Sequence, residues 1–161
     1  LMLTKEGPRV LEFNARFGDP ESQAILPRLK GDFASLLLEV ARGKLPRRPL
    51  EIDPRPCVSV VLASKGYPGS YEKGKVIEGL EEASKEKDLF LFHAGTSMQD
   101  GKFVTSGGRV LAVSALGQTL DEAARRAYQA VSMIQFEGVY YRKDIAYRAL
   151  SKGSSYAKTA G

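Results

Sequence analysis

The sequence predicts an α+β fold built from two parts joined by a linker. Short runs of alternating or β-branched apolar residues outnumber runs with helical periodicity. Four prolines fall within residues 44–56, where they favour an extended connector. We therefore expect antiparallel strands and helices in residues 1–43, and a small β-rich domain with one or two packed helices in residues 57–150. Residues 151–161 are rich in Ser, Gly, Lys and Ala, which predicts a disordered tail.

Composition narrows the classes of function. The net charge is +5, but the basic residues are scattered and do not alternate with aromatic residues, so we expect no nucleic-acid partner. No apolar run approaches the roughly 18–20 residues of a membrane span, so we expect no membrane partner. The single cysteine, Cys57, opens an apolar run and is predicted to be a buried, inert thiol in a reducing, cytoplasmic setting. With one cysteine and one histidine a zinc site is not supported, and His93 is predicted to be structural.

The first part is expected to open with a β-hairpin. Residues 1–4 and 10–17 flank a short, turn-rich link that contains Gly7 and Pro8. Residues 10–17 alternate with a period of two, so one face of the strand is apolar and can pack on a core. That apolar face consists of Leu11, Phe13, Ala15 and Phe17.

Two helices are predicted to follow in the first part. Asp19 is placed to cap a short helix with proline at its first position, and Pro27 should end that helix. Asp32 should begin a second helix, which Gly43 should end. The buried stripe expected on the second helix comprises Phe33, Leu36, Leu37, Val40 and Ala41.

The second part is predicted to contain a sheet, a hairpin and a helix. Asp100-Gly101 is the turn dipeptide most diagnostic of a hairpin. Thr119 and Glu122 form a capping box that opens a helix with a stripe of small apolar residues. The predicted strands are 57–63, 76–80, 89–93, 98–99, 102–105 and 109–116. Residues 81–88 are predicted to be a charged surface segment. Residues 136–145 are predicted to form a loop and a strand, in which Tyr140 and Tyr141 are packing aromatics.

Three polar residues, Glu12, Asn14 and Arg16, occupy the face of the first-part strand opposite its apolar side. On a strand, a carboxylate and an amide carbonyl two residues apart lie about 6.5–7 Å apart at Cα. Mg²⁺ accepts such oxygens and takes phosphate oxygens at its other positions. The guanidinium adds a planar fork suited to a phosphate or an acyl phosphate. The pattern predicts a nucleotide-phosphate site, and an ordinary exposed strand face is the alternative that it leaves open.

A second candidate site is the glycine-rich segment before Arg109. Residues 106–108 can present successive backbone N–H groups beside the guanidinium, an arrangement that can cradle a phosphate. A glycine turn that only leads into the next strand is the alternative. Lys65 follows a predicted strand and precedes a flexible loop, so it is either a solvated lysine or a substrate contact.

Several long motifs occur in the order typical of one enzyme family. They are Leu-Glu-Phe-Asn-Ala-Arg-Phe-Gly-Asp-Pro-Glu at 11–21, Ser-Lys-Gly-Tyr-Pro-Gly at 64–69, Phe-His-Ala-Gly-Thr at 92–96, Gly-Gly-Arg-Val-Leu-Ala-Val at 107–113, and Phe-Glu-Gly followed by Tyr-Arg-Lys-Asp-Ile within 136–145. Together they resemble the phosphoribosylamine–glycine ligase (glycinamide ribonucleotide synthetase) family of ATP-grasp ligases, from residue 1 to about residue 150.

The resemblance implies an ATP-dependent ligase of purine biosynthesis that joins glycine to 5-phosphoribosylamine through glycyl phosphate. It implies that Glu12 and Asn14 hold Mg²⁺ or Mn²⁺ against ATP, and that Arg16 steadies the transferred phosphoryl group. The substrate contacts that it implies are Arg109, Lys65, Asp19 and Gly108.

The resemblance also assigns the two parts of the chain. Residues 1–43 become the end of an ATP-grasp domain, and residues 57–150 become a carboxy-terminal ligase domain. The main ATP-binding elements are expected before Leu1, so the missing amino-terminal part is an expected partner and the chain alone should be inactive. Two alternatives stay open: the equivalent segment of another ATP-grasp ligase or carboxylase, and a basic phosphate- or RNA-binding module.

Overall fold

The computed structural model of the protein describes residues 1–44 and 49–151, so the predictions for linker residues 45–48 and for the tail after residue 151 lie outside that description. The structure is a mixed α+β fold with antiparallel sheets, as the sequence predicts. In chain order its elements are β1 (Met2–Thr4), β2 (Gly7–Arg9), α1 (Ser22–Ile25), a 3₁₀ turn (Leu26–Arg28), α2 (Phe33–Ala41), β3 (Cys57–Ser64), α3 (Leu80–Ser84), β4 (Leu89–His93), β5 (Thr96–Gln99), β6 (Lys102–Thr105), β7 (Arg109–Leu116), α4 (Leu120–Met133), β8 (Val139–Tyr140) and α5 (Tyr147–Ser151).

A four-stranded antiparallel sheet forms the centre of the second part. Its strand order is β4-β7-β3-β8. The longest pairing joins β3 to β7, where Cys57 opposes Leu116 and Leu62 opposes Leu111. Along the first six residues of β3, buried residues alternate with half-buried ones. This is the period of two expected of a strand whose two faces are covered unequally.

Helix α4 packs on one face of this sheet. The predicted cap by Thr119 forms: its hydroxyl accepts a hydrogen bond from the Glu122 N–H at 3.1 Å. The Glu122 carboxylate accepts from the Gln118 N–H at 2.7 Å, one residue before the cap, instead of from the Thr119 N–H. Alanines on the buried side of the helix allow it to approach the sheet closely. The resulting core includes Val58, Val60, Leu62, Val110, Val113, Ala123, Ala127, Val131 and Ile134.

The described part of the linker, residues 49–56, is bonded to the end of the first helical segment. The Lys30 N–H donates to the Glu51 carbonyl at 2.9 Å, and the Asp53 N–H donates to the Arg28 carbonyl at 2.7 Å. These two bonds flank a single antiparallel bridge. The linker is therefore attached to the first part along its length rather than only at its end.

The linker is also tied to the second part by an ion-pair network. The Arg55 guanidinium lies 2.8 Å from the Asp53 carboxylate and 2.9 Å from the Asp88 carboxylate, which immediately precedes β4. Hydrogen bonds from Arg55 are the main cause that lowers the pKa of Asp53 to about 2. Together the two sets of bonds connect the two parts of the chain through residues 49–56.

The predicted hairpin forms, but its second strand was placed wrongly. β1 pairs with β2, with Met2 opposite Arg9 and Thr4 opposite Gly7, whereas residues 10–17 form no strand. The apolar face predicted there is not buried, and Phe13 on that face is 91% exposed. A strand needs a neighbour to satisfy its backbone groups. In the described part of the chain, residues 10–17 pair with no other strand.

Helix α1 begins later than predicted, and Asp19 does not cap it. The Asp19 carboxylate accepts a hydrogen bond from the Gln23 side chain at 3.0 Å, and the N-cap residue is Glu21, whose side chain makes no cap bond. The α-helix ends at Ile25, and a 3₁₀ turn carries the chain through Pro27. The α-helix therefore ends before the proline, as predicted.

Helix α2 has the predicted start but not the predicted burial. The Asp32 carboxylate accepts a hydrogen bond from the Ser35 N–H at 3.0 Å, which confirms the cap, and Gly43 follows the helix at φ +72°. However, none of the residues of α2 is buried, and Leu37 is 44% exposed. Phe33 of the predicted stripe packs edge-to-face against Phe17, with the ring centroids 5.9 Å apart.

Residues 76–88 also differ from the prediction. In place of a strand at 76–80, isolated bridges form, one of which joins Val76 to Val104. Gly79, at φ +81°, then turns the chain into α3, so the expected charged surface segment begins as a short helix. Residues 76–80 form no strand because their backbone meets different neighbours in turn and builds no continuous ladder.

The remaining strands of the second part agree with the prediction. β4 and β7 have the predicted bounds, β3 is one residue longer, and β5 and β6 pair across Asp100-Gly101. Tyr141 packs against the core as expected, whereas Tyr140 is mostly exposed. Within residues 1–44 and 49–151, no helix combines the length and apolar character needed to cross a membrane.

Candidate functional site

Arg109 begins β7 and joins distant parts of the chain. Its Nε donates a hydrogen bond to the Tyr67 hydroxyl at 3.1 Å, and its Nη1 donates one to the Asp19 carbonyl at 2.9 Å. Nη1 also lies 3.6 Å from a carboxylate oxygen of Asp19. The hydrogen bond to Tyr67 is the main cause of a raised pKa at Arg109. The site therefore presents a permanent positive charge, fixed by one residue from each part of the chain.

Gly108 is required by the packing of Tyr67. A Cβ atom placed at Gly108 would lie 2.1 Å from the edge of the Tyr67 ring, which is well inside van der Waals contact. The Gly108 carbonyl also accepts a hydrogen bond from the Ser64 N–H at 2.8 Å. Gly108 therefore leaves room for the ring that contacts Arg109, and its role as a substrate contact stays a prediction.

The predicted phosphate cradle at residues 106–108 does not form as expected. The N–H groups of Ser106 and Gly107 both donate to the Gly95 carbonyl, at 2.8 and 3.2 Å. Gly95 and Gly107 approach so closely that a Cβ on either would overlap the other's backbone. These two N–H groups are already bonded, which favours the alternative of a glycine turn that leads into β7.

A cleft of about 350 Å³ lies beside Arg109, between the start of α1 and the face of the sheet opposite α4. Its lining combines guanidinium groups, tyrosine rings and apolar strand residues, namely Pro20, Ser59, Val61, Ala63, Tyr67, Arg109, Tyr140, Tyr141, Arg142 and Ile145. Arg142 is already held by the Asp144 carboxylate at 2.6 Å. A cleft with a cation at its edge and aromatic walls suits a small phosphorylated molecule with a ring.

The structure separates Lys65 from Arg109. The Lys65 N–H donates to the Gly138 carbonyl at 2.8 Å, and its side chain lines a different cavity, of about 440 Å³. Lys75 in that cavity is paired with Glu72 at 2.7 Å and with a second carboxylate at 2.9 Å. Of the four predicted substrate contacts, Arg109, Asp19 and Gly108 lie together and Lys65 does not.

Glu12, Asn14 and Arg16 are all exposed. The Arg16 Nη1 donates to the neighbouring Phe17 carbonyl at 3.0 Å. Across residues 1–44 and 49–151, no group of three or more His, Cys, Asp or Glu side chains is arranged to hold a metal ion. The oxygen donors of Glu12 and Asn14 suit Mg²⁺ chemically, but the strand that would align them is absent here.

Sequence reasoning missed Tyr67. Tyr67 stands in a Gly-Tyr-Pro-Gly loop directly after β3, and because β3 pairs with β7, that loop emerges beside Arg109. Pairing of the two strands could have indicated this contact. The Nδ1 of His93 lies 2.9 Å from the Thr96 hydroxyl, and its structural role stays a prediction. Cys57 is half-buried rather than buried as predicted, and burial raises the pKa of its thiol to about 11, which agrees with an inert thiol.

The family model described as phosphoribosylglycinamide synthetase, C domain, matches residues 57–148. This match covers more than half of the chain. It includes the four-stranded sheet, helix α4, Tyr67 and Arg109, whereas Asp19 lies before the matched residues. The chain therefore belongs to the phosphoribosylglycinamide synthetase C-domain family.

Individual relatives agree with the family. A phosphoribosylamine–glycine ligase of Caldanaerobacter subterraneus subsp. tengcongensis is 59% identical over 146 residues, which are 91% of this chain and 34% of the relative. The trifunctional purine biosynthetic protein adenosine-3 of Gallus gallus is 51% identical, over 97% of this chain and 16% of the relative. The crystal structure of a phosphoribosylamine–glycine ligase from Thermotoga maritima matches with a TM-score of 0.74 at 40% identity, over 89% of this chain and 34% of that chain.

The chain thus spans about a third of the length of the two ligases and a smaller share of the trifunctional protein.

Proposed function

We propose that this chain is the carboxy-terminal part of an ATP-dependent ligase that joins glycine to 5-phosphoribosylamine, giving glycinamide ribonucleotide for purine biosynthesis. The observation that carries this proposal is the family match over residues 57–148, with 59% identity to a phosphoribosylamine–glycine ligase along 91% of the chain. We propose a cytoplasmic location, since Cys57 is a free thiol of the kind that a reducing compartment preserves.

Residues 1–43 are proposed to be the end of an ATP-grasp domain whose remainder lies in the missing amino-terminal part. The support is the apolar surface that this segment exposes, which includes Leu3, Leu11, Phe13, Phe17, Leu37 and Val40. Exposed apolar side chains in such number mark an interface. Once the remainder covers them, residues 10–17 gain a neighbouring strand, and Glu12, Asn14 and Arg16 come onto one face. The chain alone is therefore proposed to be inactive.

The proposed reaction consists of two transfers. A carboxylate oxygen of glycine attacks the γ-phosphorus of ATP, which releases ADP and forms glycyl phosphate. The amine nitrogen of phosphoribosylamine then attacks the glycyl carbonyl carbon, loses a proton and expels inorganic phosphate. No bond to the protein forms, so the residues of the chain act by positioning the substrates and by neutralising charge.

Glu12, Asn14 and Arg16 are proposed to serve the first transfer. Carboxylate and amide oxygens are the donors that Mg²⁺ and Mn²⁺ prefer, so Glu12 and Asn14 would hold such an ion. The ion, when bound, would neutralise charge on the terminal phosphates of ATP. Arg16 would hold the transferred phosphoryl group through parallel N–H donors, for which its planar guanidinium is suited.

Arg109 is proposed to serve the second transfer by binding the phosphate of phosphoribosylamine at the edge of the 350 Å³ cleft. Its charge is fixed there by Tyr67 and by the Asp19 carbonyl, and Gly108 provides the space for the Tyr67 ring. Lys65 is proposed as a contact in the second cavity, separate from the phosphate.

The test is an assay of the complete protein that contains this chain. We expect release of phosphate from ATP that requires both glycine and phosphoribosylamine, and no release by the chain alone. Turnover of aminoimidazole ribonucleotide with bicarbonate instead would replace the proposal with a carboxylase of the same superfamily. Absence of any ligase activity, together with salt-sensitive RNA retention, would replace it with a basic binding module.

A further inference from the structure

Tyr67 is fixed by the backbone of its own loop. The Tyr67 N–H donates to the Ser64 carbonyl at 3.1 Å, and the edge of its ring meets Tyr71 with the ring centroids 6.2 Å apart. Gly66 adopts φ +96°, and a Cβ there would lie 2.1 Å from the Ser70 carbonyl oxygen. Only glycine allows the loop to close in this way. The loop therefore presents the Tyr67 side chain in one position.

Arg109 would otherwise have considerable freedom, because 38% of its side chain is exposed. Holding an exposed arginine in one rotamer costs conformational entropy. Tyr67 opposes that freedom in two ways. Its hydroxyl accepts the Nε–H at 3.1 Å, and the guanidinium carbon lies 6.0 Å from the centre of its ring.

We propose that Tyr67 is a positioning residue, which directs the Arg109 guanidinium so that its remaining N–H groups meet the substrate's phosphate. The proposal rests on the proposed phosphate-binding role of Arg109. The hydrogen bonds of the Arg109 guanidinium support the positioning role. Its Nε donates to Tyr67 and its Nη1 to Asp19, while in the part of the chain that the structure describes Nη2 makes no hydrogen bond. Tyr67 acts through Arg109 and does not itself bind the phosphate.

The kinetic test uses the complete protein with Tyr67→Phe, Arg109→Ala and the double variant. Tyr67→Phe keeps the ring against Gly108 and removes only the hydroxyl. We expect it to raise the KM for phosphoribosylamine about three- to tenfold, which is the effect of one hydrogen bond, with kcat and the KM for ATP and glycine changed less than twofold. In the Arg109→Ala background, the same change should have no further effect. Tyr147→Phe, at an exposed tyrosine of α5, is the matched control and should match the unmodified protein.

Two kinetic results would overturn the positioning role while leaving the proposed function intact. One is an unchanged KM in Tyr67→Phe when Arg109→Ala raises it. The other is an equal rise in KM with and without Arg109, because Tyr67 would then act independently of the arginine.

A second measurement does not depend on ligase activity. In ¹⁵N NMR spectra of the 161-residue chain, the Arg109 Nε–H signal, assigned by its loss in Arg109→Lys, should exchange slowly with water. We expect exchange to accelerate at least threefold in Tyr67→Phe and to stay unchanged in Tyr147→Phe. Equal exchange rates in the unmodified chain, Tyr67→Phe and Tyr147→Phe would show that Tyr67 does not restrain the guanidinium, whatever reaction the complete protein catalyses.

Discussion

The two parts of this chain have similar apolar patterns but very different packing. In the second part, the alternation in β3 and the stripe of α4 meet each other and form a closed core. In the first part, the alternation in residues 10–17 and the stripe of α2 meet no such layer, and no residue of α1 or α2 is buried. A pattern therefore predicts which face of an element is apolar, but burial of that face depends on a partner element being present.

The largest expected effect contrasts a leucine in each part. Leu62 is fully buried in β3, so Leu62→Ala should lower the free energy of unfolding by about 2–5 kcal/mol, through lost burial and the cavity left behind. Leu37→Ala in α2 makes the same chemical change at a side chain that is 44% exposed, and it should cost under about 0.5 kcal/mol. Urea denaturation of both variants measures the difference. Equal losses would contradict the contrast between the two parts.

The next effect should appear in activity and not in stability. Glu12→Ala combined with Asn14→Ala should lower ligation by the complete protein about 10²- to 10³-fold, because charge on the transferred phosphates is no longer neutralised. Both side chains are exposed in this chain, so its urea midpoint should not move. Glu6→Ala, an exposed carboxylate in the same segment, serves as the control and should retain full turnover. Full turnover in the double variant would refute the proposed metal ligands.

Two helix caps provide a smaller contrast. Thr119 caps α4, which contributes five buried residues to the core, so Thr119→Ala should lower the free energy of unfolding by about 1 kcal/mol. Asp32 caps α2, which has no buried residues. Asp32→Ala should therefore reduce the helicity measured by circular dichroism. It should lower the free energy of global unfolding by less than half of the loss expected for Thr119→Ala. A larger global effect from Asp32→Ala would mean that α2 belongs to the cooperative core.

The smallest effect concerns the linker and depends on pH. Hydrogen bonds from Arg55 lower the pKa of Asp53 to about 2, from an ordinary value of 3.8. Because the folded pKa lies below the unfolded one, the pair stabilises the fold above about pH 4 and loses this contribution as the pH falls towards 2. Urea midpoints between pH 4 and 2 should fall less steeply in Arg55→Met than in the unmodified chain. Parallel slopes would show that this pair does not contribute.

Most elements of the second part could be predicted from the sequence because local and tertiary preferences agree there. β4 and β7 have the predicted bounds, and the Thr119 cap and the Asp100-Gly101 turn form as expected. The cap and the turn depend on residues that are close in sequence, and the packing of the sheet against α4 favours the same local structures. The strand predicted at 76–80 failed because its residues meet several different neighbours in turn.

The candidate site could be predicted only in part. Arg109, Asp19 and Gly108 lie together, but two of the three N–H groups expected to cradle a phosphate, those of Ser106 and Gly107, are bonded to Gly95. Tyr67 was missed because its contact with Arg109 depends on strand pairing over 42 positions of sequence. The strand predicted at 10–17 does not form, for the opposite reason. Its alternation is clear, but the pairing that would make it a strand is not supplied by the described residues.

Hydrogen–deuterium exchange of the chain tests this contrast most directly. We predict strong protection of amides in β3, β7 and α4, and exchange close to that of an unfolded chain in residues 10–17. In the complete protein, the same residues 10–17 should become protected as they gain a strand neighbour. Protection of residues 10–17 in this chain alone, equal to that of β7, would contradict the account.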